Sequence, residues 1–236
     1  MVLTADELTE ARRVIARALE EDLRYGPDVT TLATVPADAT TRASMVAREH
    51  GVAAGVDVAL LVLDEVLGPD GYKVIERVTD GTRLEPGRAL VILDAPTQGL
   101  LTAERTMLNL VCHLSGIATA TAQWVTAVAG TNAKIRDTRK TLPGLRALQK
   151  YAVRVGGGVN HRMGLGDAAL IKDNHVAAAG SVVAALHAVR AAGPELPCEV
   201  EVDSLEQLDE VLAENVELVL LDNFPVWQTQ IAVQRP

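Results

Sequence analysis

Residues 154 to 175, RVGGGVNHRMGLGDAALIKDNH, join three consecutive glycines to Asn160-His161-Arg162 and then, through an apolar run, to Lys172-Asp173-Asn174-His175. A guanidinium grips a carboxylate through two parallel hydrogen bonds, and an imidazole adds another donor. His161 and Arg162 therefore have the chemistry of an anion-binding loop. Gly156-Gly157-Gly158 permits backbone angles closed to other residues and close approach to a ligand. The run is not in the strand, GxGxxG, helix setting of a dinucleotide site.

The same stretch is where positive charge collects. From Lys134 to Asp173 there are nine Lys and Arg against three Asp, a local balance of +6, although the 236-residue chain carries −9 overall. A positive patch inside a repelling acidic envelope suits capture of a small polyanion. The overall charge argues against nonspecific nucleic-acid binding, which needs basic surface.

Four short apolar runs end in ionisable residues: AKIRDTRK (133 to 140) in Arg139 and Lys140, AALIKDNH (168 to 175) in Lys172 and Asp173, CEVEVD (198 to 203) in Glu201 and Asp203, and ELVLLDNF (217 to 224) in Asp222 and Asn223. Lys140 and Lys172 have three readings: a phosphate contact, a Schiff-base nucleophile or an exposed charge. Glu201 and Asp222 are placed to accept sugar hydroxyls or to hold Mg²⁺ through water, and the bland alternative is a pair of helix-capping acids. His50, His113 and His187 sit in ordinary sheet or helix contexts and are read as structural.

The elements that must position these residues follow from periodicity. Thr4 and Glu7 open an amphipathic helix to Leu23 with the spacing of a capping box, and Gly26-Pro27 stops it. RASMVARE, YKVIERV and RALVILDA predict a small antiparallel sheet between residues 41 and 94. Leu100 to Ala129 predicts one long helix, whose small residues between Ser115 and Ala122 would allow close packing, with Gly130 as its stop. After Gly130 each strand-like run is followed by a helical one, which predicts parallel βα units and a site where the strands end. Ser204-Leu205-Glu206-Gln207 has capping-box spacing at the helix after the third run.

Aromatic residues are only 3% of the chain, so Val, Leu, Ile and Ala must build its core. Cys112 and Cys198 lie in apolar stretches without metal-ligand spacing and are expected to be core thiols. Apolar runs are too short to span a bilayer and Met1 opens no secretory signal, so the expectation is a cytoplasmic protein without membrane or nucleic-acid partners.

EDLRYGPDVTT (21 to 31), LLTAERTMLNLVCHLSGIAT (100 to 119), KIRDTRKTLPGLRALQKYAV (134 to 153), GGGVNHR (156 to 162), ALIKDNH (169 to 175), EVEVDS (199 to 204) and LLDNF (220 to 224) occur in an order that resembles the quinolinate phosphoribosyltransferase family. These are the decarboxylating enzymes of de novo NAD synthesis. The resemblance implies an α/β protein with an N-terminal α/β sandwich domain (1–110) and an open parallel α/β barrel domain (111–236). It implies a homodimer with shared active sites, or a higher oligomer, in which Arg105 reaches across the interface. Arg139, His161 and Arg162 would hold the quinolinate carboxylates, and Lys140 and Lys172 would contact quinolinate or the phosphates of phosphoribosyl pyrophosphate. Glu201 and Asp222 would meet the ribose hydroxyls and a Mg²⁺ ion, with no organic cofactor.

Related enzymes continue beyond IAVQRP through further barrel strands, with an ESSGG motif and a later glycine-rich stretch that receive the donor's 5′-phosphate. Neither occurs in these 236 residues. The expectation is therefore a barrel incomplete at its C-terminus, with an exposed strand edge and a catalytic competence separate from the family function. A nicotinate-type phosphoribosyltransferase is the alternative enzyme, and a noncatalytic fragment that binds dicarboxylates or dimerises is the alternative outside catalysis. A lysine Schiff-base aldolase would leave GGGVNHR without a role.

Overall fold

In the computed structural model, which describes residues 2–235, the chain forms two compact units, one ending at His161 and the other beginning at Arg162. In the first unit, α1 (Ala5–Leu23) starts as the sequence predicts: Glu7 N–H donates to Thr4 Oγ1 at 3.3 Å, and Thr4 N–H donates to Glu7 Oε2 at 2.9 Å. Ala11, Ile15 and Leu19, four residues apart, bury one stripe of it. The short α2 (Val29–Thr34) precedes β1 (Thr40–Val46), β2 (Gly51–Val52), α3 (Val56–Leu67), β3 (Lys73–Arg77), β4 (Arg83–Leu84) and β5 (Ala89–Pro96). The predicted antiparallel sheet is present, in the order β1-β5-β3, and β2 pairs separately with β4.

The sequence reading missed α3, which the run of apolar residues from Val56 to Leu67 concealed between strands. Its N-terminus is closed by a residue far along the chain. The buried Asp80 carboxylate accepts from the amides of Gly55 (2.7 Å) and Val56 (3.0 Å), and from the Tyr151 hydroxyl (2.7 Å). Burial and that carboxylate push the Tyr151 hydroxyl's pKa well up, so it remains a donor. Gly55 has φ +85°, and a Cβ there would also come within 2.7 Å of Leu114 Cδ1.

The helix α4 (Thr97–Ala127) matches the long predicted helix, and Gly130 follows it with φ +85°. Its small residues serve the packing expected of them. Ser115 Oγ accepts from Ala54 N–H at 3.0 Å and Thr119 Oγ1 accepts from Val52 N–H at 2.9 Å. The buried face of α4 runs through Ala103, Met107, Leu110, Leu114 and Ala118. Cys112 falls off that stripe and is exposed, which corrects its expected place in the core; Cys198 is half-buried.

The strand expected over 133 to 140 does not form. A single parallel bridge joins Arg136 to Val159. Beyond it the amides turn back on local acceptors, Lys140 N–H to Thr138 Oγ1 at 3.0 Å and Thr141 N–H to Arg139 O at 2.9 Å. They are unavailable for a ladder. The segment instead leads into α5 (Arg146–Val155).

The second unit keeps the expected alternation: β6 (Ala169–Ile171), α6 (Asp173–Ala179), α7 (Val182–Ala192), β7 (Cys198–Val202), α8 (Leu205–Ala213), β8 (Leu218–Leu221) and α9 (Val226–Val233). The strands are parallel in the order β6-β7-β8. Ile171, Val200 and Val202 pack with Val182, Leu186 and Leu208 from α7 and α8. At α8, Ser204 Oγ accepts from Gln207 N–H, but Gln207 Oε1 accepts from Asp203 N–H, one residue before the predicted capping-box donor. No single helix among the described residues is long and apolar enough to cross a membrane.

Replacing Asp80 with Ala leaves two amides and a tyrosyl hydroxyl buried without their acceptor. At about 1–3 kcal/mol for each unsatisfied group, the variant should lose at least about 3 kcal/mol of stability. Denaturant titration measures this; a loss below about 0.5 kcal/mol, the range of an ordinary surface change, would contradict the role assigned to Asp80.

Candidate active site

In the first unit the DTRKT segment and His161 are held by one helix. Leu148, Tyr151 and Ala152 bury one side of α5 in the core. Arg146, Gln149, Lys150 and Arg154, spaced three, one and four apart, fall on adjoining rows of another side. Lys150 is 1% exposed and forms an ion pair with Asp137, while its ammonium also donates to the His161 carbonyl at 2.9 Å. Asp137 accepts in turn from the His161 amide at 2.9 Å and from the Asn160 side chain. Arg154 donates to Asn160 Oδ1 at 2.9 Å and pairs with Glu7 at 2.8 Å. The DTRKT segment and Asn160-His161 are thus fastened to the same face of α5, and through Glu7 to the start of α1.

This network changes the meaning of the local positive charge. Lys150 and Arg154 are spent on structure. The sequence reading counted both among the cations of an anion site, and it passed over Asp137 and Asn160. One signal was present: Asp137 is the only acid between Lys134 and Arg162. The glycine run is also explained by packing. A Cβ on Gly156 would lie 2.4 Å from the Ala118 carbonyl oxygen, and one on Gly158 would lie within 3.0 Å of Val153, Thr121 and the Ile135 carbonyl. Gly157 has φ +91°. The glycines bring the loop against α4.

Arg139 is half-buried, and its Nε is buried without a hydrogen-bond partner among the described residues. Lys140 is exposed beside it in sequence, and His161 is half-buried with both backbone groups held by the Lys150–Asp137 pair. Arg105 lies elsewhere in this unit. It is exposed on α4, on the wall of a groove of about 1340 Å³ that Leu101, Leu108 and Cys112 also line.

In the second unit, Arg162 donates from Nη1 to the Ala168 carbonyl at 2.9 Å, and its Nε is likewise buried without a partner. The loop that follows is tied by Asp167, whose carboxylate accepts from the Met163 (2.6 Å) and Gly164 (2.9 Å) amides. Those amides, with a contribution from the Arg162 charge, hold its pKa below the usual carboxylate range.

Strand alternation sets the remaining residues. Because Val200 and Val202 face the helices, Glu199 and Glu201 lie on the opposite face of the sheet. The register puts Leu170 beside Glu199, and Glu201 beside Leu220. Lys172 and Asp222 continue that face one residue beyond their strands. Lys172 Nζ donates to Glu201 Oε2 at 2.9 Å. An ammonium engaged in that way has no lone pair to offer a carbonyl, which argues against the Schiff-base reading. Asp222 Oδ2 accepts from Asn223 Nδ2 at 2.8 Å, with Asn223 at φ +55°. Among the described residues no cluster of three or more His, Cys, Asp or Glu could hold a metal by itself.

The comparisons cover both units. The family model described as quinolinate phosphoribosyl transferase, N-terminal domain, matches residues 28–115, and the C-terminal domain model matches residues 117–236. The chain is 74% identical over 234 residues to a carboxylating nicotinate-nucleotide pyrophosphorylase of Mycobacterium leprae (strain TN), covering 99% of this chain and 82% of that protein. It is 40% identical over 220 residues to a probable carboxylating nicotinate-nucleotide pyrophosphorylase of Bacillus subtilis (strain 168), covering 92% and 74%. The crystal structure of NadC from Streptococcus pyogenes superposes with a TM-score of 0.90 at 39% identity, over 99% of this chain and 81% of that one. With both family models matched in order and the fold shared, the chain belongs to the quinolinate phosphoribosyltransferase family.

Proposed function

We propose that this chain, a phosphoribosyltransferase of NAD biosynthesis by its family, itself joins quinolinate to phosphoribosyl pyrophosphate and releases CO₂, pyrophosphate and nicotinate mononucleotide. The observation that carries this reading is that Arg139 in the first unit and Arg162 in the second each keep a buried guanidinium Nε without a hydrogen-bond partner among the described residues. A buried N–H without an acceptor is costly, and a carboxylate supplies the acceptor. Each such arginine is fitted to one carboxylate, and quinolinate carries two where the substrate of a nicotinate-type enzyme carries one. His161 supplies a further donor, and Lys140, exposed beside Arg139, contacts substrate or phosphate. Fixed cations offset the repulsion between a dianion and a polyphosphate, and they need no reorganisation as charge moves.

The pyridine nitrogen attacks C1′ of the ribose while the bond from C1′ to the pyrophosphate oxygen breaks, and the electron pair leaves with pyrophosphate. The ribose is oxocarbenium-like at that point. Glu201 and Asp222, on one face of the sheet, accept from its hydroxyls and favour the developing positive charge. Lys172 holds Glu201 in place and adds a cation for the donor's phosphates. The electron pair of the bond to the neighbouring carboxylate then stays on the ring carbon, where the adjacent quaternised nitrogen stabilises it; CO₂ departs and that carbon takes a proton from solvent.

Two carboxylates, one of them bound to Lys172, do not make a resident metal site. They do fit Mg²⁺ brought by the pyrophosphate and met through water, since Mg²⁺ keeps several waters and is usually bound by one or two carboxylates plus substrate phosphates. When bound, the ion neutralises the leaving group. A homodimer is part of the proposal, supported by Arg105 standing exposed on a groove wall of the first unit. A cytoplasmic location is supported by two free thiols.

Supplying the purified chain with quinolinate, phosphoribosyl pyrophosphate and Mg²⁺ and following nicotinate mononucleotide tests the reading directly; binding of quinolinate without product would leave only the binding function. Arg162→Ala should weaken quinolinate binding by at least about 30-fold, the lower end of the cost of truncating a buried charged contact. Calorimetry reads it, and unchanged affinity in a folded variant would remove Arg162 from the site. Glu201→Gln should lower kcat by about 10²-fold, the scale of losing one electrostatic stabiliser, with quinolinate affinity within about two-fold of the parent. Equal losses in both would refute its assignment to the ribose.

A further inference from the structure

Gln149, 9% exposed on α5, connects the DTRKT loop to a histidine on α4. The Leu142 amide donates to Gln149 Oε1 at 3.1 Å. A main-chain N–H can only donate, so this contact fixes which end of the amide is oxygen. Gln149 Nε2 therefore faces His113 Nε2, at 2.9 Å. An amide nitrogen also only donates, so His113 Nε2 must accept and the ring proton must sit on Nδ1. A tautomer on α4 thus determines how Gln149 presents its oxygen to the loop.

Leu142 is two residues from Lys140 and three from Arg139. The loop is gripped at three successive points by the same helix: Asp137 by Lys150, Thr141 Oγ1 by Arg146 Nε at 3.1 Å, and the Leu142 amide by Gln149. The first two grips are direct contacts of charged side chains on α5 with the loop. The third depends on His113, since an amide side chain without its second partner can turn over and offer Nε2 to the Leu142 amide, where donor would meet donor. A displacement of about 1 Å at a binding group is enough to weaken a site severely.

We propose that His113, acting through Gln149, is a positioning residue that sets the DTRKT loop so that Arg139 meets the substrate carboxylate. This rests on the assignment of Arg139 to quinolinate made above. It gives a role to a histidine that the sequence reading treated as merely structural.

The test compares quinolinate affinity and thermal midpoint in the 236-residue chain and four variants. His113→Leu should weaken quinolinate about ten-fold, the value of one ordinary hydrogen bond. His113→Gln should restore affinity to within about two-fold, because its amide oxygen can accept at the position of Nε2. Gln149→Met should match His113→Leu and serves in its place if that variant does not fold. A purely structural His113 would lower the midpoint while leaving affinity intact, and that result overturns the proposal, as does a Gln variant no better than the Leu variant. Arg139→Ala separates the two claims. Full affinity there refutes the carboxylate assignment itself, and loss there with normal binding in His113→Leu and Gln149→Met refutes the relay alone.

Discussion

The buried Lys150–Asp137 pair is the constraint on which the first unit's candidate residues depend. Neither partner can be lost alone without leaving an uncompensated charge, a cost of about 3–5 kcal/mol. The geometry around the pair is complete: the ammonium also takes the His161 carbonyl, and the carboxylate takes the His161 amide and the Asn160 side chain. A charged pair accepts few arrangements of its neighbours, and here the arrangement it demands fixes the backbone of His161. Arg154 extends the same logic to Glu7, so that a capping residue of α1 also ties α1 to α5.

Cations in this protein divide into those whose partners the fold supplies and those that keep a donor for the proposed anion site. Lys150 has all its hydrogen-bonding directed into the protein, and Arg154 is shared between Asn160 and Glu7. Arg139 and Arg162 each keep a buried N–H without an acceptor among the described residues. In the second unit, Lys172 is already engaged by Glu201, and Arg162 is held by the Ala168 carbonyl through Nη1. Arg162 and Lys172 are thus each steadied by one contact while further donors remain for the proposed ligand. Preorganisation of this kind lets charges act on a reacting molecule without moving first.

Local patterns made much of the fold legible. The α1 cap, the small residues of α4 and the alternation of strands with helices after residue 168 all depend on neighbours within a few positions. The failures share the opposite cause. The helix α3 is capped by Asp80, some 25 residues away in the chain, so no cap residue precedes it to announce its start. The strand expected over 133 to 140 has a suitable apolar beginning, but its polar side chains and amides are claimed by α5 and by local turns. Cys112 sits in an apolar stretch, yet the three-dimensional stripe of α4 excludes it from the core.

By itself the sequence determined the α/β class, the order of most elements, the family, and which residue types must serve the chemistry, because these follow from short-range periodicity and from motifs that keep their spacing. Only the tertiary structure decided which of the clustered cations are neutralised. It assigned the glycine run to helix packing, aligned Glu201, Lys172 and Asp222 on one face of a sheet, and linked His113 to the Leu142 amide. Those outcomes depend on which charges and amides meet across long sequence separations, and pairing and burial there are set by the fold rather than by composition.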